Sequence, residues 1–149
     1  MKIGIQTSLV YTYNAVGLRV AQSLDSDVTE FAWDWVAGLP EMLVTTESTN
    51  PDPTLYLVGH ETLGRWDGAT WAYHLPDALG SVRQVADGAG AVVSAREGTP
   101  YGVEVGAAQA GLGYTGEWWD ASVALLYLRA RWYALEVGRF TSQDPLGDH

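Results

Sequence analysis

Apolar and polar residues alternate over short runs, each closed off by Gly, Pro, Asn or Asp, and this pattern restricts the fold more than any other feature of the chain. A period of two puts every second side chain on one face of a strand and cannot build an amphipathic helix. Leu9 to Tyr13, a turn at Asn14 to Gly17, and Leu18 to Leu24 read as a hairpin. Phe31 to Val36 alternates aromatic with small or polar residues and stops at Gly38 and Pro40, and Glu41 to Glu47 follows as the next strand. Ser48 to Pro53 reads as a loop, because paired prolines do not fit a central ladder. Leu55 to Val58, Thr62 to Trp66 and Thr70 to Leu75 continue the series, separated by Gly59 and Asp67-Gly68. Ser81 to Ala86, Asp87 to Gly90 and Ala91 to Ala95 form the clearest hairpin. Gly98 to Gly116 is glycine-rich and reads mostly as loop, with short extended pieces near Tyr101 and Tyr114. From Ala121 to Tyr133, helix propensity competes with the alternation of Leu126, Leu128 and Ala130 against Tyr127, Arg129 and Arg131. The alternation predicts a strand there, with a short helical turn near Ala121 to Ala124.

With 149 residues the chain is one domain with a core of its own. It is 47% hydrophobic and only 17% charged, which excludes disorder as its ground state. Seven Trp and eight Tyr stand against two Phe, and rings with a polar tip suit half-buried sheet faces. The net charge of −10 argues against binding nucleic acid or anionic membranes, which need a basic footprint. The absence of cysteine excludes disulfides and thiolate zinc sites. No apolar run is long enough to span a membrane as a helix, and the opening residues carry neither a hydrophobic stretch nor a small-residue cleavage site. The expectation is a chain without an export signal of its own, and its location is left open.

Aromatic-x-aromatic pairs recur at Tyr11/Tyr13, Trp33/Trp35 and Trp71/Tyr73. Two residues apart on a strand lie on one face, so each pair makes a small platform, as in a stacked hairpin array.

Seven stretches carry a resemblance. Tyr11-x-Tyr-Asn-x-x-Gly-x-Arg19 resembles a YD repeat, the unit of Rhs proteins, toxin-complex C subunits and teneurins. Tyr73-x-x-x-Asp-x-Leu-Gly-Ser-Val-Arg83, Asp87-x-x-Gly90 and Pro100-Tyr-Gly102 extend it. With Gly113 to Asp120, Leu126 to Tyr133 and Gly138 to Pro145, they resemble the Rhs repeat-associated core domain. The similarity runs from about Tyr11 to Gly147, with YD-like hairpins over about 9–58 and the core segment over about 59–149. It implies an all-β fold: consecutive antiparallel β-hairpins in one curled or spiral sheet, an open barrel-like fragment of a YD-repeat shell, with the C-terminal segment packed against it. In that family the shell encloses a C-terminal toxin, and many members free it by an aspartyl-type self-cleavage after a segment resembling Asp-Pro-x-Gly-Leu. Here Asp148 stands where a leucine precedes the cut, Ala134-Leu135 replaces the Asp-Pro after Arg-Tyr-Tyr, and Val123-Ala124 replaces a Thr-Gly.

The resemblance implies a structural role, as a shell or plug segment of a polymorphic toxin or a stand-alone truncated derivative, acting by assembly rather than turnover. Expected partners are other YD-repeat segments, a toxin cassette in context, and further copies of the chain through open sheet edges. Two alternatives remain. One is surface recognition of glycans or proteins by an aromatic platform of Trp33, Trp35, Trp71, Tyr73, Trp118 and Trp119. The other is a residual self-cleaving activity of Asp120 and Asp144, which match the family's acidic positions, with Arg131 tuning one of them. Both aspartates also sit where turns are commonly capped. Arg83, Arg129, Arg131 and Arg139 read as partners of carboxylates and rings rather than of phosphate. His60, His74 and His149 share no ligand spacing, Ser81 reads as a turn residue, and no cofactor or metal is expected.

Overall fold

A computed structural model describes residues 7–36, 38–106 and 111–144. The described residues form fourteen strands, arranged in two antiparallel sheets, and one short 3-10 turn. The larger sheet contains β1 (Leu9–Tyr13), β2 (Arg19–Leu24), β3 (Asp27–Asp34), β4 (Glu41–Glu47), β5 (Asn50–Val58), β6 (Thr62–Trp66), β7 (Trp71–Pro76), β8 (Val82–Ala86) and β9 (Val92–Ala95). These nine strands lie side by side in sequence order, so the sheet is an open meander with β1 and β9 as its edges. The smaller sheet orders β10 (Gly111–Leu112), β11 (Trp118–Asp120), β12 (Leu125–Leu128), β13 (Arg131–Ala134) and β14 (Arg139–Phe140) in the same consecutive way. The all-β class and the hairpin series are as expected, while the strands divide between two sheets rather than forming one.

A single turn design recurs along the chain. Asn14, Asp77 and Asp87 each receive a backbone N–H from the glycine three residues on, Gly17, Gly80 and Gly90, at 2.9–3.0 Å. Each also donates its own N–H to the carbonyl four residues on, at 2.9 Å. The side-chain Oδ1 then accepts two more backbone N–H groups, from Val16 and Leu18, Leu79 and Ser81, or Ala89 and Ala91. The three glycines have φ of 81–82°, where a β-carbon is strained. Thr99 and Gly102 repeat the backbone part of the design, with the Thr99 hydroxyl accepting from Val103. The Asn/Asp-x-x-Gly spacing therefore encodes a hairpin turn by satisfying its backbone.

Three local expectations need correction. The pieces near Tyr101 and Tyr114 are not extended: Tyr101 lies inside the Thr99–Gly102 turn, and Tyr114 opens the 3-10 turn Tyr114–Gly116. Ser48 to Pro53 is not a loop, since β5 begins at Asn50 and carries both prolines. Pairing with β4 jumps from Glu47–Asn50 to Thr45–Thr54 across a bulge, and pairing with β6 starts only at Leu55. Pro51, Asp52 and Pro53 thus have no cross-strand partner, which removes the objection to a proline without an N–H. Ala121 to Tyr133 is not one strand but β12, a two-residue turn and β13. Arg129 makes that turn with φ 54°, held there by its guanidinium, which donates to the Pro40 carbonyl at 2.7 Å and to Glu117.

Both faces of the smaller sheet are covered. Cross-strand register groups Trp118, Asp120, Tyr127 and Trp132 on one face, and Trp119, Leu126, Arg131 and Tyr133 on the other. The first group packs on β1–β3: Trp132 meets Tyr11 at 5.2 Å, Trp118 meets Phe31 at 5.3 Å, and Tyr127 meets Trp33 at 6.0 Å between ring centres. Tyr114 stacks on Tyr133 from the other side at 6.5 Å, and the Thr99–Gly102 turn lies against Tyr114 and Leu135. The core runs between the sheets through Leu18, Phe31, Met42, Leu112 and Tyr127, and Leu126 is buried on the far face of the smaller sheet.

Candidate functional site

The chemically most specified place in the molecule is the junction where the first hairpin meets the smaller sheet. Arg19, the closing residue of the Tyr11–Arg19 motif, is 0% exposed. Its Nη1 donates to Asp120 Oδ2 at 2.8 Å and to Gln22 Oε1 at 3.0 Å. The guanidinium carbon lies 4.5 Å from the ring centres of Phe31 and Tyr127, 5.2 Å from Trp132 and 5.5 Å from Tyr11. Four rings therefore surround the cation, and their faces replace water around Nε and Nη2, which have no hydrogen-bond acceptor.

The backbone of the same residue is also engaged. Arg19 N–H donates to the Tyr127 hydroxyl at 2.8 Å, and its carbonyl accepts the Trp33 indole N–H at 2.7 Å. The Tyr11 hydroxyl donates to Asp120 Oδ2 at 3.0 Å, and Asp120 Oδ1 accepts the Ser122 N–H at 3.0 Å. Burial followed by the Asp120 charge pushes the Tyr11 phenol well above its ordinary range. Burial likewise raises Tyr127, and burial lowers Arg19 against the opposing pull of Asp120. The Tyr11 hydroxyl thus stays a neutral donor to Asp120, the Tyr127 hydroxyl stays neutral and accepts the Arg19 N–H, and the Asp120 carboxylate faces Arg19. The arrangement joins two sheets and offers no free acid or nucleophile.

Asp120 and Asp144 each sit with a different arginine. Asp144 pairs with Arg131 at 3.1 Å, and Arg131 also lies 3.7 Å from the Phe140 ring centre. Since Asp120 and Arg131 belong to opposite faces of the smaller sheet, the strand pleat directs the two carboxylates apart. The Pro145 to Gly147 stretch, Asp148 and His149 lie outside the described residues. Among the remaining arginines, Arg83 pairs with Asp77 at 2.7 Å, Arg129 with Glu117, and Arg139 stands exposed in β14. Ser81 is 1% exposed and its hydroxyl accepts the Thr115 N–H, a turn residue that also ties the sheets together. His74 is buried with Nδ1 3.2 Å from the Thr62 carbonyl, and burial lowers its pKa.

The six aromatic platform residues do not share one surface. Trp33 and Trp118 are packed between the sheets, Trp119 faces the other side of the smaller sheet, and Trp35 stands 63% exposed beyond the end of β3. Trp71 and Tyr73 do form a pair, stacked at 6.0 Å, with Trp66 5.7 Å from Trp71. A cleft of about 820 Å³ opens between the uncovered half of the larger sheet and the edge of the smaller one. Tyr56, Arg65, His74 and Arg96 line it together with Trp71 and Trp118. Sequence reasoning singled out neither this cleft nor Arg19 as a site. Position in the Tyr11–Arg19 motif was the one available signal for Arg19, since its partner is 101 residues away.

Comparison with known proteins gives a likeness in structure alone. No family model matches the chain, and no curated protein matches it. Among solved structures, a Photorhabdus luminescens Tc holotoxin pore carrying a TccC3 mutation matches over 98% of this chain with a TM-score of 0.70 and 21% identity. A TcdB2–TccC3 crystal structure matches over 93% with a TM-score of 0.67 and 21% identity. The corresponding complex described with Cdc42 matches over 93% with a TM-score of 0.66. In each case the chain spans 8% of the length of the matched chain. The hairpin meander with its packed second sheet is thus a fold that recurs within toxin-complex chains.

Proposed function

We propose that the chain is a structural segment of a YD-repeat shell of the Rhs type, a wall or plug that acts by assembly and encapsulation rather than by turnover. The buried Arg19–Asp120 pair carries this reading, because it locks the YD-like hairpin to the core-like sheet with groups a catalytic site would need free. The likeness to toxin-complex chains supports it at the level of the fold.

The partners follow from the edges. β1 and β9 close the larger sheet without a neighbour among the described residues, and Val92 and Val93 in β9 are 52% and 61% exposed. Such an edge pairs with further YD-repeat hairpins or with a second copy of the chain. Light scattering across a concentration series tests this, with growth in mass expected and its reduction by Val93→Lys, which puts a charge on the edge. A strict monomer at high concentration, unaltered by the substitution, refutes the edge pairing.

The cleft favours a second reading, recognition of a glycan or protein surface. Its indoles and hydrogen-bonding side chains suit stacking combined with polar contact. Glycan-array binding that disappears in Trp71→Ala supports the glycan form of that reading, and no binding on the array removes that form.

A further inference from the structure

Among the described residues, Arg19, Arg83, Arg96, Arg129 and Arg131 each pair with a carboxylate. Arg65 and Arg139 do not, and Arg65 is the one that lines the cleft of about 820 Å³. Tyr56 of β5 and Ala72 of β7 lie directly across from Arg65. His74 comes two residues after Ala72, so Tyr56, Arg65 and His74 share the face that lines the cleft. Val85 and Ser94 continue the His74 row across β8 and β9, and Arg96 follows two residues after Ser94.

Positive charge gathers there. Burial first, then Arg65 and Arg96, hold His74 below its ordinary pKa. Burial also lowers Arg96; Glu104 opposes this from 3.4 Å, and Arg65 adds to it. Glu47, Asp67 and Asp87 line the cleft as well. Asp67 is committed to its own turn, accepting the Ala69 and Thr70 N–H groups, and Asp87 accepts those of Ala89 and Ala91. In a chain of net charge −10, Arg65 thus stands in a cleft with two further basic groups and no counter-ion of its own. The three acids in the lining disfavour a ligand with several negative charges and leave room for one.

We propose that the cleft binds an oligosaccharide bearing a single uronate, with Arg65 receiving the carboxylate. This rests on the glycan form of the second reading above and gives the ligand its charge and its anchor. A guanidinium fork matches a carboxylate with two parallel hydrogen bonds. The hydroxyls of Thr54, Tyr56 and Ser94 line the same cleft, beside which sugar hydroxyls find partners. An acidic peptide fits less well, because the edge of the smaller sheet is closed to strand addition there. The Leu112 carbonyl accepts from Arg96 Nη1 at 2.9 Å, and the Gly113 carbonyl accepts the Val82 N–H at 2.9 Å.

Glucuronosyl-xylobiose, its methyl ester and the blocked peptide acetyl-Gly-Glu-Gly-amide are suitable probes. The ester keeps the shape and loses the charge, while the peptide keeps the charge and loses the sugar. Titration calorimetry on the full chain should show the acid binding about tenfold more tightly than the ester, the low end for a hydrogen bond to a charged group. The peptide should bind more weakly than the acid. In Arg65→Gln the advantage of the acid over the ester should vanish, while Arg139→Gln, at an exposed arginine outside the cleft, should leave it intact. Both side chains are exposed, so neither substitution threatens the fold. Equal binding of acid and ester overturns the proposal and leaves the glycan reading standing; no binding of either overturns both. The proposal also fails if the peptide binds as tightly as the acid, which assigns the cleft to an acidic peptide. An advantage that survives in Arg65→Gln, or is lost in Arg139→Gln, overturns it equally.

Discussion

Asp120→Ala is the sharpest perturbation of the junction. Arg19 and Asp120 have side-chain exposures of 0% and 1%, so removing the carboxylate leaves a guanidinium with no counter-charge and no route to water. Breaking a buried pair from one side costs about 3–5 kcal/mol. The Tyr11 hydroxyl and the Ser122 N–H lose their acceptor in the same step, which holds the value in the upper half of that range. For a chain of 149 residues, each kcal/mol moves the melting temperature by about 2–4 °C. The variant should therefore melt about 8–20 °C below the wild type. The double variant Arg19→Met, Asp120→Leu is the decisive control. It removes both charges and fills the space with apolar atoms against the same four rings, so its loss should be smaller than that of Asp120→Ala alone. Urea unfolding followed by tryptophan fluorescence gives all the stabilities needed, since Trp33, Trp118 and Trp132 report on the junction. An Asp120→Ala loss below about 1 kcal/mol, or a double variant less stable than the single one, refutes the assignment of this pair as the staple between the sheets.

Other outcomes follow from single positions. Gly102→Ala puts a β-carbon 2.4 Å from Tyr114 Cγ and 2.8 Å from Leu135 Cδ2, at a φ of 91°, so it should cost about 2–4 kcal/mol by the same unfolding assay. His74 is held below its ordinary pKa by burial, so its neutral form is favoured in the folded state. That contribution is complete above the unfolded value of about 6.5 and is lost as pH falls through the lower folded value; His74→Gln should flatten stability between about pH 7 and pH 5. Tyr11 and Tyr127 are raised, so their contribution is present below about pH 10 and is lost as pH rises further, an alkaline loss that Tyr11→Phe should reduce. Intact mass should stay at full length after long incubation at mildly acidic pH, and a discrete cleavage product would reinstate the self-cleaving reading.

The hairpin series was legible because its signals are local. Alternation sets the strands, and Asn14, Asp77 and Asp87 with their glycines set three of the turns within five residues each. The misread places have non-local causes. Pro51 and Pro53 are tolerated because a bulge and a late-starting β6 leave them unpaired, which no residue beside them announces. The β12–β13 turn lacks glycine or asparagine, and the left-handed Arg129 is held by Pro40 and Glu117 from elsewhere in the chain. The division into two sheets depends on how far each ladder extends, and alternation is blind to that. Most of the candidate platform tryptophans were consumed in packing because composition gives the number of rings and not their facing. Arg19 gives no local sign of its partner.

The sequence-ordered meander also sets a timetable. Each ladder of the larger sheet closes over a short connection, so the hairpins from β1 to β9 can form one after another with small loop-closure cost. Arg19 cannot be desolvated on that schedule, because its counter-charge is 101 residues downstream. As the chain grows, the first nine strands stand with one face uncovered and a hydrated guanidinium in place, waiting for β11. Arrival of Asp120 buries the cation and the Trp33 and Phe31 rings together. The last third of the polypeptide thus acts on the first as an internal clasp, and a chain interrupted before β11 presents an open, aromatic-lined face to whatever surrounds it.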